Sequence, residues 1–294
     1  VYGGGQGNSE YTPYVLGDIK VVVNNGIITN VFGGNDKSGT PNGNIEVYIN
    51  GGTITNTYGG GNETSAKETN VYLTGGTSSK IFGGSNLSGN VTISHITTTG
   101  GNAEVVYGGN NQGGTTGTTN VLINGGTIGV VYGGGEKTSV TESTNVTIKS
   151  EITDAFGGSN LEGNIPTSNI IIENAITQNV YGGNNQGGLT QISNVNIYGG
   201  SSQNIYGGGL KAETTTTNIN AYYGNIENIY GGGSEAGATT TNVSLGIANI
   251  KNIYGGSNLS GTVENSYIKN LDNQTLSSID LSVNYGTSDQ HNEQ

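Results

Sequence analysis

Residues 119–135 read TNVLINGGTIGVVYGGG, and the folding of this stretch decides the fold of the chain. Val121 and Ile123 stand two apart, the period of a strand rather than of a helix. The pair Gly125-Gly126 follows, where positive φ is easily adopted. Ile128 and Val131 come next, the latter directly ahead of Tyr132 and three glycines. β-Branched residues dominate the inward positions, so the stretch predicts three short strands separated by bends.

The same pattern returns along the chain. Aromatic-Gly-Gly anchors stand at Tyr2, Phe32, Tyr58, Phe82, Tyr107, Tyr132, Phe156, Tyr181, Tyr206, Tyr230 and Tyr254, spaced by 24 to 26 residues after a first step of 30. A fixed period in the twenties is the signature of a solenoid. Inward pairs recur at Val71/Leu73, Val146/Ile148, Val195/Ile197 and Val243/Leu245, and a single isoleucine commonly follows such a pair, as at Ile54, Ile128, Ile152, Ile176, Ile226 and Ile250. Asn precedes the last apolar position at Asn30, Asn56, Asn179, Asn204, Asn228 and Asn252. Asn tolerates the left-handed conformation, and its amide can bond to the same amide one coil above and below, so these six residues are expected to form a structural ladder. A second Asn set (Asn70, Asn120, Asn145, Asn194, Asn218, Asn242) opens the first strand. The anchor aromatics would stack at the strand spacing, and eleven anchors give a rod roughly 48 Å long.

These residues resemble the right-handed parallel β-helix proteins, and more narrowly the Gly-rich tandem repeats of large bacterial cell-surface proteins. The resemblance rests on TNVYLTGGT, TNVLINGGTIGVVYGGG and NIENIYGGG and covers about residues 1–268. It implies an all-β, single-stranded right-handed parallel β-helix of about 11–12 coils of 24–25 residues, with three short strands per coil. It implies little about activity, because this fold hosts lyases, adhesins, phage spikes and ice binders alike. Residues 269–286 are expected to form a degenerate final coil or cap, and 287–294 a polar tail. The start at Val1, already inside the motif, suggests a repeat domain truncated at its beginning.

Composition narrows the function classes. The chain of 294 residues holds 55 Gly without an every-third period, which excludes collagen. A net charge of −12, with every positive residue a lysine, argues against a nucleic-acid partner. No apolar run approaches the roughly 20 residues of a membrane-spanning helix, so no membrane insertion is expected in this segment. The glycines are not phosphate loops, since no Gly-Lys-Ser/Thr follows them.

A longer period overlies the coils. Anchor types YGGG, FGGSNL and YGGNNQGG alternate, each returning after 74 residues until YGGGSEAG at 230 breaks the order. Two readings fit: a duplicated three-coil block, or a binding edge repeating its chemistry about every 14 Å.

Catalytic candidates are scarce. There is no Arg, the six Asp are scattered, and His95 lacks a Cys or Asp partner nearby in the sequence, so no catalytic residue, metal site or cofactor is expected. Asp154 stands where the ladder has Asn. The aromatic ladder Tyr58, Phe82, Tyr107, Tyr132, Phe156, Tyr181, Tyr206, Tyr230 and Tyr254 is a candidate platform for sugar rings, or else packs internally; strand parity decides between these. Charged residues, among them Glu63, Glu136, Lys137, Lys211 and Glu235, gather in the variable turn. The expectation is a non-enzymatic, extracellular structural or adhesive solenoid, a rigid stalk or fibre subunit contacting glycans or a neighbouring cell through its turn loops, with end-to-end homo-assembly as an option. The alternative is a carbohydrate-active β-helix of the tail-spike or polysaccharide-lyase type.

Overall fold

The computed structural model describes residues 1–271 and the backbone of the short strand Asp280–Leu281. Among the described residues there are no helices, and every strand pairing is parallel, coil upon coil. The architecture is a right-handed parallel β-solenoid of about ten turns. The expected final coil, 269–286, lies mostly outside the described residues, as do the polar tail and His291. What is described there continues the stack: Asp280 and Leu281 pair with Asn252 and Ile253.

Most coils contain two strands rather than the three expected, and in two coils, Thr190–Tyr206 and Thr214–Tyr230, these run on as one. In the coil around the opening stretch they are Thr116–Ile123 and Thr127–Tyr132. The expected second and third strands run together as one, with a kink inside it. Inward residues Ile128 and Val131 stand three apart, and the register passes from Ile128 to Val130 without a partner for Gly129. The kink shifts parity by one, which is why spacing alone suggests a break. The third side is the anchor turn, which is also paired between coils: Gly133 N–H donates to Phe156 O at 2.8 Å and Gly134 N–H to Gly158 O at 3.0 Å.

The core is a column of Val, Ile and Leu that repeats in every coil; Val121, Ile123 and Val131 are all buried. Burying each such side chain is worth about 1.5–3 kcal/mol. One inward column is polar. Thr69, Ser94, Thr119, Thr144, Ser168, Ser193, Thr217 and Thr241 are fully buried, and each hydroxyl donates across the coil to the first anchor glycine's carbonyl. Apart from the Ser193 bond, these run 2.5–2.7 Å. A carbonyl turned into the core must find a donor there, and the Thr/Ser ahead of each outward Asn, or of His95 in one coil, supplies it.

The anchor glycine follows from the same geometry. A Cβ on Gly133 would run into Gly157 O and approach Thr144 Cβ at 2.9 Å. Gly126, between the two strands, has φ 88° and allows the chain to turn the corner.

One coil departs from the expected inward set. Asn174 has φ 54°, the only non-glycine with positive φ among the described residues, and the strand Ala175–Tyr181 is entered one residue out of phase. Thr177 therefore pairs with Ile152 and faces inward, donating to Ser202 Oγ at 2.8 Å. Ile176, expected in the core, faces out and is 57% exposed.

Candidate functional site

The anchor aromatics form one continuous stack. Ring centroids from Tyr2 to Tyr254 are 4.6–5.1 Å apart with planes within 13° of parallel. The rings point away from the main core, yet those from Phe32 to Tyr206 are buried in a second apolar cluster of their own. On one flank lies the column two residues before the anchor, where Val105 and Val130 pack on the rings. On the other lies the anchor turn, whose Asn side chains close over the ring tips. Asn111, Asn160, Asn185 and Asn258 donate to the hydroxyls of Tyr58, Tyr107, Tyr132 and Tyr206, each two coils away, at 3.1–3.4 Å.

This placement bears on the sugar-platform reading. Each ring face from Phe32 to Tyr206 is covered by the next ring, so no face is open for a ligand to stack on. Exposure returns only at the ends, at Tyr2 and partly at Tyr230 and Tyr254. Parity does turn the rings outward; the flanking ladders then bury them.

Burial also changes the acidity of the hydroxyls. It pushes Tyr58 up to about 12, with Glu136 adding to the rise and the Asn111 bond opposing it. Tyr132 is likewise pushed up to about 12 by burial, against the bond from Asn185. Tyr107 and Tyr181 are raised further, again chiefly by burial.

The Asn ladder forms in two runs. Asn56 donates to Asn30 at 2.9 Å, and Asn252, Asn228, Asn204 and Asn179 donate in series at 2.8–2.9 Å, ending on Asp154. Lys80, Val105 and Val130 interrupt the register between the runs. Every amide donates toward the lower-numbered coil, so the last residue faces Val130, which offers no side-chain acceptor. A carboxylate there accepts the series and leaves no N–H without a partner, which accounts for Asp at 154. The turn ladder ends the same way: Asn111 donates to Asn86, Asn86 to Asn62 and Asn62 to Asp36, at 2.8–2.9 Å. The second Asn set forms a further ladder from Asn242 to Asn120 at 2.9–3.2 Å.

The 74-residue period has a structural cause in the third residue after the anchor. Asn110 Oδ1 accepts from Ser85 N–H in the preceding coil at 2.9 Å, and its Nδ2 donates to Gly89 O at 2.8 Å. Ser85 Oγ in turn donates to Thr64 O at 2.8 Å, and Thr64 Oγ1 donates to Asn35 O at 3.1 Å. The set recurs with Asn184, Ser159, Thr138 and Asn110 at 2.7–3.1 Å. The middle member must be glycine, because a Cβ on Gly61 or Gly135 would strike the Thr hydroxyl and the Asn carbonyl of this lock. Asn, Gly and Ser turns thus interlock as a set of three.

The charged residues of the turns divide. Lys137, Lys211 and Glu235 stand exposed, as expected of loop tips. Glu136 does not: its side chain is 13% exposed, pairs with Lys80 Nζ at 3.0 Å and accepts from Gln112. Glu173 pairs with Lys149 at 2.8 Å, Glu227 with Lys251 at 3.0 Å, and His95 Nε2 lies 3.9 Å from Glu68. Glu136, Glu173 and Glu227 are thus each engaged by a lysine of another coil.

An open groove of about 770 Å³ on the kinked-strand face is the feature that sequence reasoning missed. Its lining includes the kink residues Gln178, Gln203, Glu227 and Lys251, and beside them Ile176, Ser201, Asn225 and Asn249. The signal was the residue skipped between Ile128-type and Val131-type positions, which varies from coil to coil and so carries no repeat.

No protein-family model, curated protein or solved structure matches this chain.

Proposed function

We propose that the chain is a stiff, non-enzymatic element of an extracellular or cell-surface protein, a stalk or fibre segment that presents its turn edge to glycans or to another cell surface. The observation that carries this reading is the continuity of the ladders. A hydroxyl column, an aromatic column and amide columns run from coil to coil, so adjacent turns are locked on every side. A fold held in this way resists bending and local opening, which suits a spacer. The engagement of Glu173 and Glu227 by lysines of neighbouring coils supports a non-enzymatic role over a polysaccharide-cleaving one. Turn tips such as Lys137, Lys211 and Glu235 are free to contact a partner.

Two experiments test it. Labelling of intact producing cells with a membrane-impermeant amine reagent is expected to modify the chain's lysines; a chain modified only after lysis contradicts the surface assignment. Incubation with a panel of polysaccharides is expected to yield no new reducing or unsaturated ends. Turnover that is lost on replacing one particular Glu contradicts the non-enzymatic role.

A further inference from the structure

The out-of-phase coil at Asn174 creates a surface unlike the rest of the rod. Ile176 turns outward there at 57% exposure. At the same corner in the next two coils stand Tyr198, 43% exposed, and Tyr223, 52% exposed. Tyr198 stacks on Tyr222 at 4.9 Å with planes 7° apart. Unlike the anchor stack, this pair lies outside both apolar clusters, and Tyr198 has no ring stacked on its other side.

The groove begins within three residues of this corner. Ser201 follows Tyr198 and Asn225 follows Tyr223, and both line it. Register places Ile176, Ser201, Asn225 and Asn249 one per coil in a single row. The kink residues Gln178, Gln203 and Glu227 form a second row beside it, turned outward because the ladder gives them no partner. The carboxamides of Gln178 and Gln203 both donate and accept, whereas the Glu227 carboxylate only accepts, so this floor offers both kinds of hydrogen-bonding group at the coil spacing.

Charge selects among ligands. The groove's one lysine, Lys251, is held by Glu227 at 3.0 Å, while Glu151 adds a second carboxylate to the groove wall and the chain carries −12 overall. Such a surface repels polyanions. Apolar faces and many hydroxyls, without negative charge, are what it accommodates.

We propose that the groove binds a neutral oligosaccharide lying along the rod, whose rings reach over the groove's edge onto the Tyr198/Tyr223 corner. The tyrosine faces cover the apolar sides of sugar rings, and Gln178, Gln203 and Asn225 exchange hydrogen bonds with their hydroxyls. This rests on the reading of the rod as a glycan-contacting surface element, but it moves the contact from the turn tips to the strand face.

The test uses the whole chain against neutral hexasaccharides of β-glucan, xylan and mannan, with polygalacturonate as the anionic comparison, by titration calorimetry. At least one neutral hexasaccharide is expected to bind, and polygalacturonate not to. Tyr198→Ser combined with Tyr223→Ser is expected to weaken binding tenfold or more, and Gln203→Ala at least threefold. Tyr72→Ser, in the stacked Tyr48–Tyr72 pair on the other strand face, is expected to change it by less than twofold. Unchanged circular dichroism and melting temperature in each variant establish that folding is intact. Failure of every neutral probe to bind overturns the proposal, as does preference for polygalacturonate. Binding that survives the corner variants but is lost in Lys211→Ser or Glu235→Ser also overturns it, while leaving the turn-edge reading intact.

Discussion

Thr214→Val probes the interlocking of the turns at the point where the three-coil order breaks. Thr214 is 1% exposed and its hydroxyl has no hydrogen-bond partner. In Asn-type coils the threonine at this register does have one: Thr116 Oγ1 donates to Asn110 Oδ1 at 3.1 Å and Thr190 Oγ1 to Asn184 Oδ1 at 3.3 Å. Gly-type coils instead carry Ala66, Val140 and Ala238 there, all buried. Thr214 belongs to a Gly-type coil but keeps the hydroxyl of an Asn-type one. An unpartnered buried hydroxyl costs about 1–3 kcal/mol, and Val is close in shape, with a penalty below about 1 kcal/mol for the added methyl bulk beside Gly183. The net expectation is a stabilisation of about 1–2 kcal/mol. At a guanidinium slope of about 6 kcal/mol/M this raises the unfolding midpoint by about 0.2–0.3 M with the slope unchanged. The same substitution at Thr116 removes a made bond and is expected to cost about 0.5–1.5 kcal/mol. Opposite shifts of the two midpoints are the outcome that the interlock requires. A lowered midpoint for Thr214→Val, or shifts of the same sign, would refute the reasoning.

Two further outcomes follow from the ladders. Tyrosine loses its proton to become charged, and burial raises the folded-state values of Tyr58 and Tyr132 from 10.0 to about 12. Their contribution is therefore complete below pH 10 and falls as pH rises from 10 towards 12, because the unfolded chain releases protons that the folded chain retains. Urea midpoints measured across pH 8–12 should decline only above pH 10; a flat profile to pH 12 contradicts burial of the stack. Gly133→Ala drives a Cβ onto Gly157 O and is expected to lose about 1–3 kcal/mol or more, whereas Gly17→Ala, with open space around it, should be near neutral by thermal melt. Equal melting temperatures for the two variants would contradict the close approach of the coils.

The legible parts of the fold were those that repeat. Val121/Ile123 spacing marks a strand in any context, and its return every 24–26 residues leaves a stacked solenoid as the economical solution. The Asn columns were visible for the same reason, since identical amides at one register bond to each other. What escaped was set by contacts between coils. Val131 and Tyr132 are neighbours and both buried, which no alternation rule allows; it takes a second cluster roofed by Asn side chains two coils away. The kink hides because Gly129, Gln203 and Lys251 share a position but no chemistry. Ile176 fits the inward pattern by count, and only the left-handed Asn174 turns it out. Asp154, which the sequence shows only as a departure from the Asn column, is the acceptor that ends a series of amides.

Because the chain contains no cysteine, paired labels can be placed at will, and distances between them measure the stack directly. Lys37, Lys137 and Glu235 are exposed at the same position of the anchor turn, with Lys137 four coils and Glu235 eight coils from Lys37. Spin labels on Lys37→Cys/Lys137→Cys and Lys37→Cys/Glu235→Cys, read by pulsed dipolar spectroscopy, should give narrow distributions near about 19 Å and about 38 Å, in proportion to coil number at the interstrand spacing. Broad distributions, or two distances that do not scale with the number of coils, would contradict a single rigid column of parallel turns.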